Sequence, residues 1–200
     1  MRLVISVLKD ATYKTDSEIY EGLQNQFPAG FIEIAPLTAK DGRDILIALE
    51  GQVCRLRDGQ RDYIIRQFET SSYSPLWLRT AFEIAKSWKS VDQPGEDRHV
   101  LATDTTGLIA QFIDELTGIH HHERQLVTRV LGYLAASKNG LSAKELTEVL
   151  SDDATVMGAI SSHVYGVRDT GMLPPSIWVR LSRQLSPFFI EKRFDEQPLL

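Results

Sequence analysis

Residues 131–146, LGYLAASKNGLSAKEL, contain the end of one helix and the start of the next. Asn139-Gly140 is typical of a helix terminus, because asparagine and glycine adopt the left-handed backbone conformation at little cost. Ser142 follows as an N-cap, and Glu145 stands three residues later, which is the pattern of a capping box. The stretch therefore predicts two successive helices joined by a short turn.

The sequence on either side of this stretch predicts a winged-helix domain. We expect the helix that ends in this stretch to span 123–136. The helix that begins after Ser142 is expected to end near Ser151. Beyond that point we expect a less regular stretch over 154–172, a helix over 176–184, and a hairpin. The two strands of the hairpin, 187–192 and 197–200, flank a charged turn. Helix, helix, helix and hairpin is the layout of a winged helix.

The middle of the chain also has helical periodicity. Thr38 and Asp41 form a capping-box pattern at the start of one helix, and Gly51 is its expected stop. Pro75 favours the first position of another helix, whose predicted length lets Trp77 and Trp88 share one face. We expect helices over 38–51, 58–69, 75–88 and 105–117, with a linker over 90–98.

The N-terminal residues have a different pattern. Leu3–Leu8 is a nearly continuous apolar run, as in a strand that is buried on both faces of a parallel sheet. Residues 17–26 predict an amphipathic helix, and Phe31–Ala35 predicts a second strand. Two parallel strands and one helix are too few for a stable sheet. We therefore expect the chain to open near the end of a larger α/β domain, as a fragment or remnant of a longer reading frame.

The composition excludes several classes of protein. With 200 residues, a net charge of −5 and 42% hydrophobic residues, the chain is an ordinary globular one with room for one or two cores. Its single cysteine, Cys54, cannot form an internal disulfide, and no apolar run approaches the roughly 20 residues that span a bilayer. We expect a cytoplasmic protein with no membrane partner, and the acidic balance argues against nucleic acid as the main partner.

The sequence lacks the common catalytic and metal-binding motifs. It contains no G-x-x-x-x-G-K-[ST] loop, no G-x-G-x-x-G and no G-x-S-x-G. His120–His122 is expected to be a connector, because neighbouring residues of a helix point about 100° apart. The acidic pairs 114–115 and 152–153 are expected to face water, and Cys54 is expected to be inert, although Arg55 could lower its pKa. We expect no catalytic residue and no metal site.

Two alternatives stay open from the residues alone. In a nucleic-acid-binding winged helix, Arg180 and Arg183 would read a groove while Lys192 and Arg193 contact phosphate. Acidic residues on the same wing would repel phosphate, which argues against that function. The other alternative is a helical protein-interaction module without a nucleotide role.

Three stretches carry a resemblance to a known family: FIEIAPLT at 31–38, SPLWLR at 74–79, and LGYLAASKNGLSAKEL at 131–146. In this order they resemble STAND-class P-loop NTPases of the NACHT type, of the kind that carry WD or TPR repeats. The resemblance covers nearly the whole chain. It implies four parts: the C-terminal edge of the NTPase α/β core (1–37), a helical lid (38–92), a linker with a connecting helix (93–118) and a winged-helix domain (119–200). The implied fold class is mainly α, with the edge of an α/β nucleotide-binding sheet.

The resemblance also implies an adenine-binding position. In the family, the proline of a G-x-P motif at the start of a lid helix packs against the adenine. Pro75 matches that proline, Ser74 and Leu76 flank it, and Tyr73 stands where the family has glycine.

A second implied position lies near the first predicted strand. Many relatives carry an arginine after this sensor strand, and here Ser6 or Lys9 would have to substitute for it. The implied cofactor is ATP or ADP with Mg²⁺, in a complete NTPase module only. The winged helix would be the latch that holds the ADP-bound state.

The implied partners are the remaining parts of such a protein. They are a P-loop domain before Met1 and a repeat sensor after Leu200, and oligomerisation is a further expectation. For this chain alone we expect no catalysis and no bound cofactor, because nothing in it can cradle phosphates or hold magnesium.

Overall fold

The computed structural model describes residues 14–27, 30, 34–51, 54–96, 99–161, 171–189, 192–194 and 197–199. Backbone contacts divide the chain between Leu37 and Thr38 into two compact units. In the first unit, helix α1 spans Lys14–Gln26. The predicted strand Leu3–Leu8 and residues 31–33 of the second predicted strand lie outside the described residues, while Ile34 and Ala35 have no regular secondary structure. The sheet edge therefore stays a prediction.

The second unit is built mainly from helices, which confirms the predicted mainly α class. Its helices are α2 (Ala39–Glu50), α3 (Asp58–Thr70), α4 (Pro75–Ala85), α5 (Thr105–Gly118), α6 (Arg124–Ala136), α7 (Ala143–Asp152), α8 (Ala154–Ser161) and α9 (Pro175–Leu185). A 3-10 turn, Ser186–Phe188, follows α9. The short strands β1 (Lys192–Phe194) and β2 (Gln197–Leu199) then pair antiparallel, with Arg193 opposite Pro198.

Two helices begin with the capping boxes that the sequence predicts. The Thr38 hydroxyl accepts the Asp41 N–H at 3.2 Å, and the Asp41 carboxylate accepts the Thr38 N–H at 2.8 Å. Ser142 and Glu145 make the same reciprocal pair at the start of α7. The Thr38 hydroxyl and N–H both donate to the Asp41 carboxylate, and the Ser142 N–H and hydroxyl both donate to the Glu145 carboxylate. These hydrogen bonds hold the pKa values of the two carboxyls below their usual range, because they favour the ionised form.

Helix α4 lies at the centre of the first group of helices, in contact with α2, α3 and α5. Its side chains are buried on almost every side from Trp77 to Ala85. The Trp77 ring is fully buried, and its Nε1–H donates to the Ala102 carbonyl at 2.8 Å. This bond ties α4 to the segment that leads into α5.

A buried ion pair joins the end of α2 to the start of α3. The Arg61 guanidinium donates to both carboxylate oxygens of Glu50, at 2.9 Å and 3.1 Å, and to the Leu56 carbonyl at 3.2 Å. Both side chains are about nine-tenths buried. Such a pair is stable only when its remaining hydrogen-bonding groups are satisfied, which the Leu56 carbonyl helps to achieve.

The second group of helices is α6, α7 and α8, which contact one another pairwise. The less regular stretch predicted over 154–172 is wrong for residues 154–161, which form α8; residues 162–170 lie outside the described residues. The Asp153 carboxylate causes this helix to start, because it accepts the N–H groups of Thr155 and Val156 at 2.9 Å and 3.3 Å. It also accepts the Tyr133 hydroxyl at 2.7 Å, so the expectation that Asp153 faces water is wrong.

The tryptophan pair does not share a helix face, because α4 ends at Ala85. Trp88 lies beyond the helix, where its ring contacts those of Tyr63 and His99 at centroid distances of 6.2 Å and 5.8 Å. These contacts hold the start and end of the predicted linker against α3.

The hairpin also begins later than the sequence predicts. Pro187 lies in the 3-10 turn, and Phe188 packs its ring against Phe112 of α5 at a centroid distance of 5.0 Å. Residues 187–189 are therefore not in a strand, and residues 190 and 191 lie outside the described residues. Strand β1 includes two residues that were expected in the turn, Arg193 and Phe194.

Replacing the two tryptophans separately tests the bond that ties α4 to α5. Trp77→Phe is expected to lower the free energy of unfolding by about 1–2 kcal/mol more than Trp88→Phe, because only the first removes a hydrogen-bonded N–H. The Trp88 Nε1 is buried without a hydrogen-bond partner, which makes Trp88→Phe the control for loss of an indole N–H that makes no hydrogen bond. Urea denaturation of both variants measures the difference, and equal losses would contradict it.

Of the acidic pair 114–115, only Asp114 faces water as expected. Asp114 is 66% exposed, but Glu115 is half-buried, and burial raises its pKa to about 7. Between about pH 4.5 and 7 the folded state then binds more protons than the unfolded state, so stability falls as pH rises.

Glu115→Gln removes this pH dependence. At pH 8 the variant is expected to melt about 2–4 °C above the parent protein, for about 1 kcal/mol after solvent screening. At pH 4 the two are expected to melt together, since Glu115 is then protonated in both states. Asp114→Asn is the control, and a pH-independent gain in Glu115→Gln would contradict the assignment.

Candidate functional site

The α3–α4 corner, residues 71–76, has an unusual backbone. Ser72 and Tyr73 both lie in the left-handed region, with φ values of 58° and 57°. The Tyr73 N–H donates to the Phe68 carbonyl at 3.2 Å, and its ring meets the Phe68 ring edge-on at 5.4 Å. These contacts stabilise a conformation that is costly for any residue except glycine.

Ser74 connects the starts of two helices. Its hydroxyl caps α4 by accepting the Trp77 N–H at 3.3 Å, and it lies 3.4 Å from the Thr105 hydroxyl at the start of α5. The N-termini of α4 and α5 therefore lie side by side, next to the corner.

Pro75 and Leu76 are the exposed end of an otherwise buried helix. Pro75 occupies the first helical position, where its missing N–H leaves no hydrogen bond unmade. Leu76 is 48% exposed. The corner thus presents a rigid apolar ring and an aliphatic side chain to solvent.

The structure gathers only part of the predicted nucleotide site. Ser74, Pro75 and Leu76 are consecutive at the corner, whereas Ser6 and Lys9 lie outside the described residues. Ser6 and Lys9 therefore stay predictions.

The four basic residues of the nucleic-acid alternative have different surroundings. One Arg180 nitrogen donates to the carbonyls of His120 and His121, at 2.7 Å and 3.0 Å. Arg183 is exposed in the last turn of α9. Lys192 and Arg193 lie on β1. Helix α8, the third helix of the α6–α8 group, carries no lysine or arginine.

Sequence reasoning missed the burial of His122. This side chain is 5% exposed, and its Nε2 lies 2.5 Å from the Gln184 Oε1 of α9. Burial lowers the pKa values of His120 and His122, and the nearby Arg180 charge lowers both further. Contacts across about 60 residues leave no local signal in the sequence.

Cys54 is less reactive than a neighbouring arginine would suggest. Burial raises the pKa of its thiol, and the Glu50 carboxylate raises it further. The suggestion that Arg55 lowers this pKa is therefore wrong, because burial and a neighbouring carboxylate both disfavour the thiolate.

Other candidate sites are sparse in the described part of the chain. No group of three histidine, cysteine, aspartate or glutamate side chains there could hold a metal ion. No described helix is both long and apolar enough to cross a bilayer. An open groove of about 700 Å³ runs between α2 and α3, and the 2.6 Å ion pair of Arg43 with Asp62 lies in its lining.

Removing the Ser74 hydroxyl tests whether it holds the corner. Ser74→Ala is expected to lower the free energy of unfolding by about 1 kcal/mol, because an N-cap hydrogen bond is lost. Ser176→Ala, at an exposed position of α9 where the serine caps nothing, is the control. Thermal denaturation compares the variants, and an unchanged melting temperature in Ser74→Ala would count against the capping role.

Comparison with known proteins gives one consistent group of relatives. No protein-family model and no solved structure matches the chain. It is 31% identical over 175 residues to mouse NACHT domain- and WD repeat-containing protein 1, and 29% identical over 174 residues to the human protein of that name. It is 27% identical over 176 residues to mouse NACHT and WD repeat domain-containing protein 2.

These matches cover nearly all of the chain but little of the relatives. They include 86%, 86% and 85% of this chain, against 11%, 11% and 10% of the three relatives. The chain thus spans about a tenth of the length of the curated proteins it matches. The resemblance to NACHT-type NTPases is confirmed: this chain is a relative of the NACHT and WD repeat-containing proteins, and it matches one segment of them.

Proposed function

We propose that this chain is the lid and winged-helix latch of a STAND-type nucleotide-controlled switch. Its relatives are named for a NACHT domain and WD repeats, and it matches about a tenth of their length. In such a switch, one part of the protein closes over a nucleotide and another holds the closed arrangement. The chain would supply these two parts.

The backbone of the α3–α4 corner is the observation that carries the proposal. Tyr73 stands where the family motif has glycine, and its φ of 57° is a value that glycine adopts easily. Two residues later, Pro75 opens α4 and is exposed. A glycine at this position would adopt the same backbone easily, so the tyrosine is compatible with a G-x-P turn. This supports an adenine contact at Pro75.

The packing of α4 supports the role of a rigid lid. Because the helix is buried from Trp77 onward, Pro75 and Leu76 are held at a fixed place on the surface. A ligand that packs there does not have to order a flexible loop, so less binding free energy is lost. Helices α2–α5 would be the lid, and the proline would be its contact with the base.

The second group of helices supports the latch assignment. Helices α6, α7 and α8 contact one another, and the strands β1 and β2 follow α9. Three helices followed by a hairpin are the layout of a winged helix. In this assignment α8 is the third helix, and α9 is an additional helix before the wing.

The nucleotide would be ATP or ADP with Mg²⁺, held mainly by a P-loop domain that this sequence does not contain. That domain would supply the phosphate and metal contacts, which give the chemistry its charge stabilisation. The residues of this chain fit only the base, because Pro75 and Leu76 are apolar and Ser74 is engaged as a cap. By itself the chain is expected to be inactive.

Substitution of Pro75 in a full-length NACHT protein that carries this chain tests the proposal. The chain would replace the matching segment of mouse NACHT domain- and WD repeat-containing protein 1, and ADP binding would be measured by fluorescence. Pro75→Ala is expected to weaken ADP about fivefold, because it removes apolar surface worth about 1 kcal/mol from the base.

Pro175→Ala is the matched control, since Pro175 also opens an eleven-residue helix and is exposed. It is expected to leave the ADP affinity unchanged. Equal effects of the two substitutions, or none from either, would contradict the adenine contact. Measurable ATP turnover by the isolated chain would contradict the larger proposal.

A further inference from the structure

The connector between α5 and α6, residues 119–123, makes a tight elbow. The N–H groups of Ile119 and His120 both donate to the Glu115 carbonyl, at 2.9 Å and 3.0 Å, and the His122 N–H donates to the Leu116 carbonyl at 3.0 Å. His121 lies in the left-handed region, with φ of 53°. The chain thus turns sharply, and the carbonyls of His120 and His121 accept no helical hydrogen bond.

A side chain of helix α9 donates hydrogen bonds to these two carbonyls. One nitrogen of the Arg180 guanidinium donates to the carbonyls of His120 and His121, at 2.7 Å and 3.0 Å. One helical turn later, the Gln184 amide oxygen lies 2.5 Å from the His122 Nε2. Residues four apart lie on the same face of a helix, so Arg180 and Gln184 clasp the elbow together.

Apolar contacts hold the rest of α9 in place. Trp178, Leu181 and Leu185 are buried. The Phe188 ring, just after the helix, packs against Phe112 of α5. The clasp therefore adds to an apolar attachment, and weakening it should increase the frequency of local opening without unfolding the protein.

The clasp concentrates groups that are positive or can become positive. Arg180 lies among His120, His121 and His122, and the Lys86 ammonium is close enough to lower the pKa of His120. A proton on His120 or His122 would place a second positive charge near the guanidinium. Like charges repel, and although Arg180 is exposed to water, the buried His122 side chain is poorly screened.

The nearest carboxylates are paired or partly buried, and Glu83 accepts a hydrogen bond from the Lys86 ammonium at 2.5 Å. Asp114 is engaged with Arg124 in an exposed ion pair at 2.8 Å. Glu123 is half-buried within the elbow, and Glu115 is the half-buried carboxyl of α5. Burial raises the pKa of Glu115 to about 7, so it is only partly ionised near neutral pH.

We propose that the elbow and α9 form an acid-sensitive clasp, in which protons on the elbow imidazoles drive the Arg180 guanidinium off the His120 and His121 carbonyls. Helix α9 then opens locally, and the α5–α6 elbow loses the contacts that hold its bend. The clasp acts within this chain, so it does not depend on the proposed nucleotide contact at Pro75.

The direction of the pH effect follows from the histidines. Burial lowers the pKa values of His120 and His122 below 6.5 in the closed clasp, and the Arg180 charge lowers both further, whereas the hydrogen bond to Gln184 acts in the opposite direction on His122. The open clasp therefore binds protons more readily, and acidification through and below pH 6.5 favours opening. Glu115 has the opposite effect. Its pKa is raised in the closed form, so protonation of Glu115 on acidification favours the closed clasp.

Hydrogen exchange tests the clasp in a Glu115→Gln background, which removes the opposing carboxyl. Exchange of the α9 amides is compared at pH 7.5 and 5.5, after correction for the intrinsic pH dependence of amide exchange. We expect about a tenfold faster corrected exchange at pH 5.5, because the open form binds protons more readily than the closed form. Adding His120→Gln and His122→Gln should abolish the rise. A corrected rate that does not change with pH, or an equal rise in the histidine variant, would overturn the proposal.

The role of Arg180 is tested by a pair of variants on the same helix. At pH 7.5, Arg180→Gln is expected to speed exchange of the α9 amides about tenfold, while the exposed Arg183→Gln should match the parent protein. Both lose one positive charge from α9. Equal rates in the two variants would overturn the clasp. If Arg180→Gln does not fold, the comparison of exchange rates at pH 7.5 and 5.5 in the Glu115→Gln protein still tests the acid-sensitive clasp.

Discussion

Burial of α4 on nearly every side is the constraint on which the first group of helices depends. A helix that contacts α2, α3 and α5 at once cannot shift without opening all three contacts. The hydrogen bond from Trp77 to the Ala102 carbonyl extends this constraint to the chain that enters α5. Only Pro75 and Leu76, at the start of the helix, lie at the surface. Their position is therefore set by the core beneath them.

Two kinds of polar contact complete this arrangement. The pair of Glu50 with Arg61 is nearly buried and joins successive helices. It stabilises a local connection, and breaking it would leave a buried charge without a partner. The Arg180 contacts are different, because they join backbone carbonyls of the elbow to a helix 60 residues away. Such contacts can open while the core of each helical group remains packed.

The position of α8 changes how the C-terminal part of the chain is interpreted. Because α8 completes the α6–α8 group, α9 is available for another role. Its polar face contacts the elbow between α5 and α6, and Phe188 just beyond it contacts α5. Helix α9 thus joins the two helical groups. A lid and a latch that exchange arrangements would require such a junction to be stable and yet able to open.

Features that depend on neighbouring residues could be predicted from the amino-acid sequence. The capping boxes of Thr38 with Asp41 and of Ser142 with Glu145 join residues three apart, so a short window of sequence contains both partners. Pro75 marked the start of α4 for the same reason. Hydrophobic periodicity located most of the helices, and three short stretches were enough to indicate the NACHT relationship.

Features that depend on distant residues could not be predicted in this way and became visible in the folded chain. Burial of Glu115 and His122 follows from how α5, the elbow and α9 pack, and no local pattern encodes it. The left-handed backbone of Tyr73 is stabilised by its contacts with Phe68, although tyrosine has no preference for that conformation. Helix α8 starts directly after Asp153, whose carboxylate also accepts a hydrogen bond from Tyr133 of α6. Both partners of a short-range hydrogen bond lie within a few residues of each other, so a local pattern predicts it. Burial and protonation state depend on how distant parts of the chain pack.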